Sequence, residues 1–115
     1  MRDAIQIITT TDSRAAAEHI ARTLVEQRLA ACVQIGGPVT SVYRWQGQVE
    51  CAEEWTCTIK TTADRYRDVE AQIRTHHTYA EPEILQMSIP GGSDTYLAWL
   101  RQQVDTPLPP SEQGR

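Results

Sequence analysis

The stretch VTSVYRWQGQVECAEEWTCTIKTT, residues 39–62, decides how the rest of the chain is read. Two runs rich in Val, Tyr, Trp, Thr and Ile flank Gln46-Gly47, where a glycine supplies the positive φ of a tight reversal. The spacing predicts a long β-hairpin. In the second run Cys51, Trp55, Cys57 and Ile59 share one parity while Glu50, Glu54, Thr56, Thr58 and Lys60 share the other, so one face is apolar and one polar. Glu53 breaks this pattern and marks a bulge or an exposed end. The second arm runs to about 13 residues against the usual five or six, so it overhangs its own domain. Such a ribbon, carrying Tyr43, Trp45 and Trp55, is poorly matched to water and is expected to pair with another subunit. A bent, bulged hairpin folded over its own core is the alternative.

Upstream of the hairpin, residues 4–10 alternate through Ile5, Ile7 and Ile8 as a buried strand does, and Thr11-Asp12-Ser13 offers helix caps. Over residues 14–29, Ala17, Ile20, Ala21, Leu24 and Val25 recur at helical spacing, which predicts an amphipathic helix laid on a sheet. Residues 30–35 are extended, Gly36-Gly37-Pro38 interrupts them, and the first hairpin arm follows as a kinked strand. Downstream, Thr61-Thr62 look like caps for a second helix with the stripe Tyr66, Val69, Ile73 and then His76 or His77. Residues 84–89 make a fourth strand, and Gly91-Gly92-Ser93 recaps the chain for a short helix carrying Leu97, Leu100 and Val104. One domain over 1–104 is predicted, with a proline-rich polar tail over 105–115 predicted to be disordered. The order β-α-β-β-α-β plus a C-terminal helix gives an α+β, ferredoxin-like sandwich. Its helix-free sheet face needs a cover, a second pointer to an oligomer.

Composition narrows the function classes. Of 115 residues 40% are hydrophobic and 23% charged, the net charge is −4, and Phe is absent. Lys60 is the only lysine and the ten arginines are scattered, so no basic run suited to nucleic acid is present. No stretch reaches the length of a membrane span. Cys32, Cys51 and Cys57 form no C-x-x-C pair, which fits reduced thiols and a cytoplasmic residence.

Few residues suggest chemistry. His76 and His77 are adjacent imidazoles at the predicted C-terminus of the second helix, where the helix dipole favours cations. Within a helix they point about 100° apart, so sharing one metal requires a frayed end or a ligand from another chain; otherwise they are capping side chains. Tyr79, Glu81 and Glu83 lie close enough in sequence to complete an oxygen and nitrogen site suited to copper(II), nickel or zinc. Cys32 and Cys57 read as small buried hydrophobes rather than nucleophiles, and Cys51 as more exposed. Gly91-Gly92-Ser93 matches no phosphate-binding motif and reads as a loop with an N-cap.

Five blocks together resemble the CutA divalent cation tolerance proteins: RLAACVQI (28–35), TSVYRWQGQVE (40–50), IKTT (59–62), HHTYAEPEIL (76–85) and YLAWL (96–100). The resemblance implies a ferredoxin-like subunit in a homotrimer whose long hairpins pair between subunits, with no enzymatic activity and no required cofactor. It also implies a role in tolerance of copper and other divalent cations, with His76 and His77 as metal candidates. Cys32, Trp45, Lys60, Tyr79, Pro82 and Glu83 stand at the other signature positions, several of them lining clefts between subunits. Two positions depart from the pattern. Thr9 stands where some bacterial members carry a cysteine assigned as a copper ligand, and Thr78 replaces a proline after the second histidine, predicting a less sharply fixed helix end. A regulatory trimer of the nitrogen-signalling PII kind shares the subunit fold and is the alternative, holding a small anionic ligand in its inter-subunit clefts.

Overall fold

A computed structural model describes residues 2–105. Strand β1 (Ala4–Thr11) leads into helix α1 (Arg14–Glu26), and the hairpin follows as β2 (Cys32–Trp45) and β3 (Gln48–Thr62). A single 3-10 turn, Ala63–Arg65, precedes α2 (Tyr66–His76), and β4 (Leu85–Ser88) and α3 (Asp94–Val104) complete the domain. The sheet is antiparallel in the order β2-β3-β1-β4, the ferredoxin-like arrangement that the element order predicts.

Alternation sets what each face carries. Ile5, Ile7, Cys57 and Ile59 point to the side where α1 and α2 lie, and pack there with Ala17, Ile20, Leu24, Val69 and Ile73. The opposite parity, including Gln6, Ile8, Thr10, Thr58 and Lys60, faces the side that those helices leave open. At one end of that open face Ala4 and Thr62 are nonetheless buried, because α3 packs across β3 and β1 there.

Arginines scattered in sequence meet at the end of α3. Arg28 donates to the Gln102 and Gln103 carbonyls, Arg65 to the Val104 carbonyl, and Arg2 to the Val104 carbonyl and the Asp105 carboxylate. The last carbonyls of a helix have no partner within it, and three guanidinium groups answer them here. Asp105, where the composition begins the tail, thus belongs to this clasp, and the remainder of the tail lies outside the described residues.

Local chemistry explains the boundaries. The Ser13 and Ser93 hydroxyls accept from the Ala16 and Tyr96 amides, capping α1 and α3 as predicted. Thr61 and Thr62 do not cap α2: both are buried in β3, where the Thr61 hydroxyl donates to the Leu29 carbonyl. Helix α1 stops at Glu26, short of the predicted 29, since Arg28 turns to φ 59° and sends Leu29 and Ala30 under the sheet. The kink in β2 is a register shift between Gly36 and Val39. Gly37 holds φ 142° there, and a Cβ would stand 2.9 Å from Trp55 Cδ1 and 3.0 Å from the Glu54 carbonyl oxygen, so only glycine fits. The bulge is therefore in β2 rather than at Glu53. At the tip Trp45 pairs with Gln48, leaving Gln46 and Gly47 as a two-residue turn with φ 51° and 80°. Both residues, not glycine alone, take the positive φ of a type I′ turn.

Candidate functional site: the end of helix α2 and the hairpin cleft

Helix α2 ends at His76, because His77 leaves the helix with φ −86° and ψ 146°. That change separates the two imidazoles. His77 Nε2 lies 2.7 Å from the Thr10 carbonyl oxygen, and its Nδ1 accepts from the Tyr79 amide at 3.0 Å. Nε2 is therefore the protonated nitrogen, and both nitrogens are engaged with backbone. Thr78 donates to Asp12 Oδ1 at 3.0 Å and ties the link to the β1–α1 corner. The helix end is thus fixed by hydrogen bonds where a proline ring would fix it by covalent geometry.

His76 turns the other way and meets a residue that the sequence pattern does not single out. His19, exposed on α1, brings Nε2 to 3.0 Å from His76 Nδ1, with the rings edge-on at 78°. Fifty-seven positions separate the two in sequence. Only the packing of α1 beside α2 brings them together. Among the described residues no group of three or more His, Cys, Asp or Glu side chains is placed to hold a metal.

Thr9 is fully buried on the helix side of β1, and its hydroxyl has no hydrogen-bond partner among the described residues. Its cross-strand neighbour is Cys57, whose thiol contacts the Ala17 carbonyl at 3.7 Å and is pushed up to about 11 by burial. A protonated, enclosed thiol is a poor ligand and a poor nucleophile. Cys32 is half-buried rather than enclosed, and Cys51 is exposed.

A cleft of about 680 Å³ lies between the link after α2 and the hairpin. Trp45, Tyr79 and Glu83 line it, joined by Tyr43, Glu54 and Glu81. Glu54, on the polar parity of β3, is buried because the link folds over it; Tyr79 donates to its carboxylate at 2.8 Å. Burial, then the bond to Glu54 and its negative charge, raise the Tyr79 pKa and keep the phenol a donor. No Lys or Arg lines this cleft among the described residues, so an anionic ligand would meet carboxylates of its own sign. Cys32 and Lys60 are not part of the cleft. They pair with each other across β2 and β3, where Lys60 Nζ donates to Gln34 Oε1 at 2.6 Å. Pro82 is buried in the link.

These features define a class: a ferredoxin-like α+β domain with a long hairpin and imidazoles at the end of its second helix. The pattern of the CutA1 divalent ion tolerance protein family matches residues 5–103. The Divalent-cation tolerance protein CutA of Thermus thermophilus is 41% identical over 96 residues, covering 84% of this chain and 93% of that protein. The solved structure of CutA1 from a psychrotrophic Shewanella superposes with a TM-score of 0.88 at 35% identity, covering 91% of this chain and 98% of that one. A structure described as the periplasmic divalent cation tolerance protein CutA of Archaeoglobus fulgidus gives 0.85 at 34% identity, over 88% and 98%. The chain belongs to the CutA1 divalent ion tolerance family.

Proposed function

We propose that this protein works in divalent-cation tolerance as a non-enzymatic cytoplasmic homotrimer that binds copper(II) or another divalent ion weakly at the end of α2. The observation that carries the reading is the family match across residues 5–103, in a chain 41% and 34% identical to two relatives named for divalent-cation tolerance. His76 and His77 are the proposed ligands. Imidazole nitrogen suits copper(II), nickel and zinc, and the C-terminal end of a helix favours a cation. Weak binding follows from the donors, since no thiolate stands at Thr9 and His77 must give up a backbone hydrogen bond to ligate.

The exposed distal hairpin supports the trimer. Val42, Val49, Trp45 and Tyr43 are all uncovered in a single subunit, an apolar surface suited to another copy of the same ribbon. Its three cysteines are free, consistent with a reducing compartment. No described helix is long and apolar enough to cross a membrane.

Native mass spectrometry with increasing copper(II), beside a His76→Ala/His77→Ala double variant, tests both parts. A trimer taking up about one metal per subunit, lost in the double variant, is the expected result. A trimer indifferent to copper would remove the metal and keep the assembly; a single subunit at micromolar concentration would remove the assembly.

A further inference from the structure

The geometry points to His19 of α1 as a further protein ligand, beside His76, of the copper(II) or zinc site, which thus spans two helices. The inference rests on the divalent-cation reading above and adds to it a donor from elsewhere in the chain.

Spacing is the first argument. Metal–nitrogen bonds of about 2.0–2.1 Å, at the angles of square-planar or tetrahedral coordination, place two ligating nitrogens about 2.9–3.4 Å apart. His19 Nε2 and His76 Nδ1 are 3.0 Å apart. An ion between them requires both rings to turn their lone pairs toward it, and the proton of the N···N hydrogen bond to move to the other nitrogen of its ring. Availability is the second argument. His19 is exposed and His76 half-buried, so water and an ion reach both, whereas the His77 nitrogens face the Thr10 carbonyl and the Tyr79 amide.

The supports are rigid on both sides. His19 sits between Ala17 and Ile20, which are buried in the core, and His76 is one turn beyond the buried Ile73. Ligands fixed by packed helices lose little freedom on binding. His76 also ends α2, where the unpaired carbonyls give the negative end of the helix dipole. Two neutral imidazoles select ions that accept nitrogen, with copper(II) ahead of nickel and zinc; magnesium and calcium prefer oxygen cages. Water fills the remaining positions.

The same 3.0 Å contact would also serve a plain imidazole–imidazole hydrogen bond, and the test separates the two. The full chain is titrated with copper(II) sulfate, and the bound imidazoles are counted by pulsed electron paramagnetic resonance. His19→Gln and His77→Gln are run in parallel, with far-UV circular dichroism to confirm the fold. Two coupled imidazoles in the parent and one in His19→Gln, with affinity lowered about tenfold or more and by more than in His77→Gln, are expected. Copper retained in His19→Gln but lost in His77→Gln overturns the two-helix site and leaves the cation reading intact. A parent protein that takes up no copper overturns both.

Discussion

The two ends of the β2–β3 ladder share strands, hydrogen bonding and a similar density of apolar side chains, yet they live in different environments. At the root Ile59 and Cys57 are fully enclosed under α1 and α2. At the tip Val42 is 68% and Val49 67% exposed, with Trp45 beside them. The root is ordered by its own helices, and the tip offers the same kind of side chain to nothing within the subunit. Strand sequence alone does not decide burial; what lies over the strand does.

The largest effect should come from cutting the root. Ile59→Ala removes a fully buried side chain and should cost about 2–5 kcal/mol in urea unfolding, whereas Val49→Ala in a dissociated subunit should stay within about 0.5 kcal/mol. Equal costs would mean that the tip is packed within one subunit. Placing charge there, Val42→Lys with Val49→Lys, should reduce the mass seen by light scattering to one subunit and leave the circular dichroism spectrum unchanged; an unaltered mass would show that the tip is not the interface.

The bulge that divides root from tip gives the next test. Gly37→Ala forces a Cβ onto Trp55 and Glu54 at positive φ and should lower stability by about 1–3 kcal/mol, while Gly36→Ala, with open space around it, should be nearly neutral. Thiol reactivity sharpens the contrast without altering the chain. In a dissociated subunit Cys51 at the tip should react promptly with a disulfide reagent, and Cys57 at the root only on unfolding, since burial lifts its pKa to about 11.

The smallest effect is at the sheet's outer end. Partial burial of Asp64 tends to raise its pKa, but hydrogen bonds to the Arg2 and Thr62 side chains and the Arg2 charge outweigh it and hold the carboxyl below its ordinary value of 3.8. A lowered folded-state pKa contributes stability that is present above the unfolded value and is lost as pH falls through the folded one. Acid unfolding of Asp64→Asn should therefore lose a little of its slope below about pH 4, and an unchanged profile would remove the Arg2–Asp64 contact from consideration.

Much of the fold was legible because it depends on short-range pattern. The alternation in β1, the serine caps of α1 and α3, and the reversal at Gln46-Gly47 are local, and each stands where the sequence predicts it. The misreadings at Thr61 and Glu54 share one physical cause, contact between distant segments. Thr61 looked like a cap because the Leu29 carbonyl that takes its hydroxyl comes from another part of the chain. Glu54 looked exposed because Tyr79, 25 positions later, folds over it. Only the adjacency of His76 and His77 was visible beforehand; the helix stop that parts them and the packing that gives His76 to His19 are three-dimensional.

The arginine clasp on α3 makes the domain a closed loop. Arg2 pairs with Asp105 at 2.9 Å, and Arg101 donates back to the Arg2 carbonyl at 2.7 Å, so both ends of the described chain leave from one corner. Those ends can in principle be joined by a short linker and new ones opened at the Gln46-Gly47 turn. Such a rearranged chain would keep every strand pairing and would carry its free termini at the hairpin tip, beside the cleft that Tyr43 and Trp45 line.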